Sequence, residues 1–248
     1  MKKIFPIIAL ISICLPFALS AHADTTNVAV AANFTAAAKD IEKAFKSATG
    51  HDVVLSFGST GKLYAQIIKG APFDAILAAD AARPIKLEAD GQAVANTRFT
   101  FAFGQIVLWS PQDGVDVRSL LSTGNYNKLA IANPKTAPYG AAAQEALEKM
   151  NLMKMAQGKL VQGDSIAQTH QFVSTGAADL GFVALAQVAL DGSGSKWAVP
   201  SDLYAPIAQQ AILLNKGTNN PATIAFLDFL KSSEAITIIK SYGYGVEN

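Results

Sequence analysis

Cysteine is almost missing from this sequence. The single one, Cys14, lies inside an apolar N-terminal run, and Ile13 precedes it where a lipoprotein signal needs a small residue. Lys2 and Lys3 stand ahead of that run, which extends from Ile4 to Leu19, and Ala21-His22-Ala23 offers a small-x-small cleavage site. This order of parts predicts a secretory signal peptide over residues 1–23. The run is shorter than the ~20 residues of a spanning helix, which argues against an anchor, and no later stretch is long and apolar enough to span. The chain from Asp24 onward then has no cysteine. Neither a disulfide nor thiolate chemistry is open to it, and its core alone must stabilise it.

An excess of charge is missing too. There are 20 basic and 19 acidic residues, and losing Lys2 and Lys3 leaves one net negative charge. With no basic tail and no charge block, neither nucleic acid nor an anionic membrane is an expected partner. Histidine is scarce. His51 follows Gly50 at a predicted helix end, and His170 lies inside a predicted helix. Without cysteine, a zinc cluster is not expected. Ser59 has no His or Asp partner at a recognisable spacing, and no Gly-x-Ser-x-Gly elbow is present. Asp74 and Asp80 lie close together, but Asp80 reads as a helix cap. What is present is an apolar half, 50% of residues, which fits a packed α/β protein and argues against disorder.

The apolar pattern alternates between strand and helix. Strands are predicted at Asn27–Ala32, Val53–Phe57 and Asp74–Ala78, with helices over Phe34–Ser47, Leu63–Ile68 and Ala81–Ala89 between and after them. Such repetition implies parallel strands with crossover helices. Phe99–Phe103 and Gln105–Trp109 then read as two adjoining strands. Beyond them come helices at Val117–Ser122, Tyr139–Met150 and Ile166–Thr175, and strands at Lys128–Ala132, Lys159–Gln162 and Leu180–Val183. A Gly/Ser loop at Asp191–Ser195, a strand at Ile207–Leu214 and helices at Ala222–Leu230 and Ala235–Lys240 complete the chain. Two α/β units are expected, the second inserted in the first: residues 24–102 and 208–248 as one lobe, 103–207 as the other. The extended segments at Phe99–Trp109 and Tyr204–Leu213 are the expected crossings, and the cleft between lobes is the natural ligand site.

Four predicted helix starts carry small or hydroxyl residues: Ala32-Asn33-Phe34-Thr35, Gly58-Ser59-Thr60-Gly61, Ala137-Pro138-Tyr139-Gly140 and Gly163-Asp164-Ser165-Ile166. A helix start offers free backbone N–H groups and the positive end of a dipole. Several converging on one cleft would make an anion site without lysine or arginine. Gly58 and Gly61 would let the backbone approach the ligand, while Asn33, Ser59 and Thr60 add side-chain donors. Taken singly, each of these starts also reads as an ordinary cap.

Together with Val30-Ala31-Ala32-Asn33-Phe34, Ser56 to Gly61, Gln66 to Asp74 (QIIKGAPFD), Ala78-Ala79-Asp80, Asn133 to Gly140 (NPKTAPYG) and Gly176 to Gln187 (GAADLGFVALAQ), these residues resemble the periplasmic molybdate-binding proteins that serve ABC transporters. The resemblance runs from Val28 to Tyr244. It implies a type II periplasmic-binding-protein-like fold, two α/β lobes on a two-segment hinge with the ligand in the cleft. It implies no enzyme activity and no cofactor, a molybdate or tungstate oxyanion as ligand, a membrane permease as partner, and a monomer in the periplasm. Molybdenum would enter only within its oxyanion, with no direct protein ligand. Carried over residue by residue, Asn33 and Thr60 would bind from the first lobe, with Ala32 and Ser59 beside them, and Tyr139 and Ile166 from the second, mainly through backbone N–H. One branch of the family has serine at Asn33, alanine at Tyr139 and tyrosine at Ala184. This chain is similar to the other branch, with threonine at Thr60 where serine is usual. A donor-only site suits an ion that is fully deprotonated at neutral pH. Asp164, the one nearby acceptor, is expected to point away. Sulfate, or a secreted enzyme with an anion-binding cleft, stands as the alternative.

Overall fold

The computed structural model describes residues 23–190 and 192–247, so the expected signal peptide lies outside the described residues except for Ala23. Strand β1 (Thr25–Ala31) enters a 3-10 turn (Ala32–Phe34) and helix α1 (Thr35–Thr49), followed by β2 (Asp52–Gly58), α2 (Thr60–Ile68), β3 (Ala75–Ala78), α3 (Ala82–Ala89) and β4 (Phe99–Gly104). The second unit holds β5 (Ile106–Ser110), α4 (Val117–Thr123), β6 (Leu129–Ala132), α5 (Pro138–Lys149), α6 (Met153–Ala156), β7 (Leu160–Gly163), α7 (Ile166–Ser174), β8 (Leu180–Ala184), α8 (Leu185–Val188) and β9 (Ser195–Ala198). The chain returns through β10 (Ile207–Leu213), α9 (Pro221–Phe229) and α10 (Ser233–Ser241).

Two five-stranded sheets result, ordered β2-β1-β3-β10-β4 and β7-β6-β8-β5-β9. They share one plan. The first three strands of each are parallel, and the fourth runs antiparallel to both neighbours. In each sheet that fourth strand is the one the chain enters straight after crossing from the other lobe. Gln105 alone separates β4 from β5, and residues 199–206 join β9 to β10. This is the two-lobed α/β architecture that the alternating pattern predicts, with the second unit inserted in the first.

Local sequence explains the elements. On α1, Ala37, Ala38, Ile41 and Phe45 recur at helical spacing and are buried. Gly50 then ends the helix at φ 77°, a conformation costly for residues with a Cβ, and returns its N–H to Lys46 O. Phe45 packs edge-on against Phe226, with centroids 5.3 Å apart. A second core centres on Leu108, Leu147 and Phe182 in the other lobe.

The structure departs from the sequence reading in several places, among them the lobe boundaries: Phe103, Gly104 and Ile207, expected in the second lobe, pair within the sheet of the first. β1 stops at Ala31, and Ala32 already belongs to the 3-10 turn. The Gly/Ser loop gives way at Ser195 to the edge strand β9, whose half-exposed SKWA lacks an apolar pattern but pairs with β5. The four-residue helices α6 and α8 are too short for periodicity to register.

Candidate functional site

All six expected site residues, Ala32, Asn33, Ser59, Thr60, Tyr139 and Ile166, line one pocket between the lobes. Ala31, Gly58, Ala79, Ala137 and Pro138 complete its wall, so no charged side chain lines it. Its cavity volume is about 10 Å³, far below the ~300–1,000 Å³ typical of sites for drug-sized molecules. The size suits a small ion.

Four helical starts meet here because each parallel strand delivers the chain to the same edge of its sheet. β1 leads into the 3-10 turn, β2 into α2, β6 into the segment before α5, and β7 into α7. Three of these starts are left uncapped by side chains. Ala31 and Ala137 have no group to cap with, and Ser59, at the cap of α2, does not cap it. The Lys62 and Leu63 N–H groups bond to the Ser59 carbonyl instead. The Ser59 Oγ is buried and has no hydrogen-bond partner within the protein. Only Ser165 caps in the ordinary way, accepting the Gln168 N–H at 3.3 Å. Bare helix starts present first-turn N–H groups and about half a positive charge each.

Thr60 and Asn33 differ in what they can offer. Thr60 Oγ1 accepts the Ala79 N–H at 3.0 Å, which leaves its own proton available for donation. Asn33, by contrast, has both amide hydrogens engaged, with Gln209 Oε1 at 2.8 Å and the Tyr244 hydroxyl at 3.0 Å. The expectation that its side chain donates into the cleft is therefore corrected: only its backbone remains for the pocket. Tyr139 likewise turns its phenol away, where it accepts Gln209 Nε2 at 3.3 Å. Burial, foremost, pushes the Tyr139 hydroxyl well above the usual phenol range, and it pushes Tyr244 up as well. Both stay protonated.

The lobes touch around the pocket. Gly61 N–H donates to Thr136 O at 2.8 Å. Lys62 pairs with Asp164 at 2.8 Å, and Arg83, anchored by Asp80, reaches Lys135 O at 3.1 Å. Gly61 does not line the pocket. A Cβ there would lie 2.9 Å from Thr136 Cα, so its smallness serves the approach of the two lobes and not of the ligand. Asp164 faces solvent with its side chain 69% exposed, which leaves the pocket without a carboxylate acceptor.

The remaining polar candidates lie elsewhere. Asp80 accepts the Arg83 N–H at 2.9 Å as a cap. His51 Nδ1 accepts the Asp24 N–H at 3.1 Å, and His170 stacks on Trp109. Among the described residues no group of three or more His, Cys, Asp or Glu could hold a metal ion. Sequence reasoning missed Gln209, Tyr244, Gly104 and Thr136. Two glutamines inside the otherwise apolar β10 were the one available signal.

The family model for bacterial extracellular solute-binding proteins matches residues 26–245. A protein named molybdate-binding protein ModA from Azotobacter vinelandii is 54% identical over 235 residues, 93% of either chain. One of the same name from Rhodobacter capsulatus is 46% identical over 238 residues, covering 96% of this chain and 94% of that one. The solved structure of the Azotobacter vinelandii periplasmic molybdate-binding protein superposes with a TM-score of 0.86 at 37% identity, covering 90% of this chain and all of that one. With this match along nearly its whole length and a ligand-sized pocket between two lobes, the chain belongs to the bacterial extracellular solute-binding proteins.

Proposed function

We propose that this protein captures molybdate, and tungstate with it, in the periplasm and delivers the ion to an ABC permease. It acts as a monomeric carrier that does no chemistry on its ligand and needs no cofactor. The Ser59 hydroxyl carries the reading: it is buried, faces a pocket of helix starts, and finds no partner in the protein. An unpaired buried hydroxyl costs about 1–3 kcal/mol, and an oxyanion seated beside it would remove that cost. Ala32, Asn33, Tyr139 and Ile166 offer first-turn backbone N–H groups, while Ser59 and Thr60 add hydroxyls. These donors come from both lobes, so one ion engages them all only when the cleft is shut.

The absence of a carboxylate from the wall sets the class of ion. Hydrogen phosphate keeps a proton at neutral pH and would leave it unbonded here, whereas molybdate, tungstate and sulfate need only donors. Sulfate differs from molybdate in its shorter bonds, so only the spacing of the donors separates them. The names of the relatives at 54% and 46% identity favour molybdate.

Thermal unfolding of the chain from Asp24 onward, with an oxyanion panel, tests the proposal. A ligand bound only by the folded state raises the melting temperature. Molybdate and tungstate should raise it at concentrations where phosphate does not. Equal shifts with phosphate would overturn the reading.

A further inference from the structure

Behind the pocket lies a polar cluster that the donor count does not use. Gln209, from the middle of β10, is 0% exposed; Asn33, Tyr139 and Tyr244 are 4%, 1% and 5% exposed. Their hydrogens follow one consistent direction. Asn33 Nδ2 donates to Gln209 Oε1 and to Tyr244 Oη, and Gln209 Nε2 donates to Tyr139 Oη. Tyr244 donates back to Asn33 O at 2.9 Å. These four hydrogen bonds join the four side chains in one buried network. A buried network of this kind favours one arrangement, because breaking any of its bonds leaves a polar group unpaired in a low dielectric.

The ring joins the lobes. Asn33, Gln209 and Tyr244 belong to the first, while Tyr139 begins α5 of the second. The Tyr139 phenol fits against Gly104, where any Cβ would lie 2.1 Å from its oxygen. The C-terminal segment is itself fixed, since Phe103 and Gly245 exchange backbone hydrogen bonds at 2.7 and 3.0 Å. Asn33 and Tyr139 also line the ion pocket from the two different lobes. Their side chains, tied behind it, set how far apart its walls stand.

We infer that Gln209 and Tyr244 are specificity-determining positioning residues: they do not touch the ion, but they fix the spacing between the donors of the two lobes and so the size of oxyanion accepted. This rests on the oxyanion reading above. A loosened tie lets the walls settle around a smaller ion, at the expense of the larger one they were spaced for.

The test is isothermal titration of wild type, Tyr244→Phe and Gln209→Met with molybdate and with sulfate. Both substitutions keep side-chain bulk, and Phe keeps the edge contact with Phe34. Each substitution removes two hydrogen bonds of the network and should weaken molybdate binding at least fivefold. Sulfate binding should change less, so the molybdate-to-sulfate ratio narrows. Tyr242→Phe, whose hydroxyl bonds to Asp40 and not to the network, should leave the ratio unchanged, although it too removes a tyrosine hydroxyl. A ratio unchanged in whichever of the two ring variants folds, beside a wild type that binds molybdate, overturns this inference alone. A wild type that binds neither ion overturns the oxyanion reading and this inference with it.

Discussion

Ser59 and Thr60 adjoin each other and look interchangeable, yet the structure gives them different energetic roles. Ser59 Oγ has no partner in the protein, whereas Thr60 Oγ1 holds the Ala79 N–H. Ser59→Ala should therefore weaken molybdate binding by about 1.5–3 kcal/mol, the worth of a hydrogen bond to a charged group. It should leave the ligand-free melting temperature unchanged or slightly higher, because no protein hydrogen bond is lost. Thr60→Val should lower both affinity and ligand-free stability, since the buried Ala79 N–H loses its acceptor, at about 1–3 kcal/mol. Titration and thermal unfolding of the two variants side by side check this. A destabilised Ser59→Ala protein would mean the hydroxyl has a structural partner after all.

Helix α2 meets the opposite lobe through Gly61. Its N–H bonds to Thr136 O, and a Cβ would collide with the Thr136 backbone. Gly61→Ala should thus oppose the closed form alone. Affinity for molybdate should fall at least tenfold, about 1.4 kcal/mol, while ligand-free melting changes little. A lowered melting temperature with intact affinity would place the clash elsewhere. The packing of α1 on α10 has a pH signature. Tyr242, just after α10, donates to the Asp40 carboxylate of α1 at 2.6 Å. This hydrogen bond, first among the causes, pushes the Tyr242 hydroxyl up to about 12 and holds the Asp40 carboxyl below the usual carboxylate range. A raised phenol stabilises the fold below its unfolded value near 10, and that stability is lost as pH rises toward 12. A depressed carboxyl stabilises the fold above its unfolded value of 3.8, and that stability is lost as pH falls below it. Denaturant titrations should show Tyr242→Phe losing less stability than wild type between pH 10 and 12. Parallel curves would remove the tyrosine from the account.

At the scale of the whole molecule, the donors sit on two bodies joined by one residue and one short segment. Small backbone rotations at Gln105 and residues 199–206 would swing the lobes apart. The cross-cleft contacts near the surface are weak fasteners. The Lys62–Asp164 pair is largely exposed, and such pairs contribute about 0–1 kcal/mol. An ion that binds the shut form better would add to the buried Gln209–Tyr139 bond in keeping the cleft closed. Small-angle scattering should show a smaller radius of gyration with saturating molybdate than in ligand-free protein. An unchanged radius, with saturation verified, would count against closure.

The sequence by itself determined the alternation of strands and helices, and with it two α/β units, the second inserted in the first. These follow from local periodicity and from glycines such as Gly50 that act on their immediate neighbours. It also marked four helix starts, because small or hydroxyl residues there are a local signal, while Asn33, Thr60, Tyr139 and Ile166, with Ala32 and Ser59 beside them, were singled out by the family resemblance. Local pattern did not reveal which way those side chains turn. Asn33 reads as a donor to the cleft, but Gln209, 176 positions away, and Tyr244, 211 positions away, take both of its amide hydrogens. Gly61 reads as room for a ligand, but Thr136 occupies that room. The edge strand β9 carries no pattern of its own and exists through pairing with β5. Hydrogen bonds between residues far apart in the chain are set by how the two lobes close on each other. Only the tertiary structure could therefore separate the groups that face the ion from the groups that hold them in place.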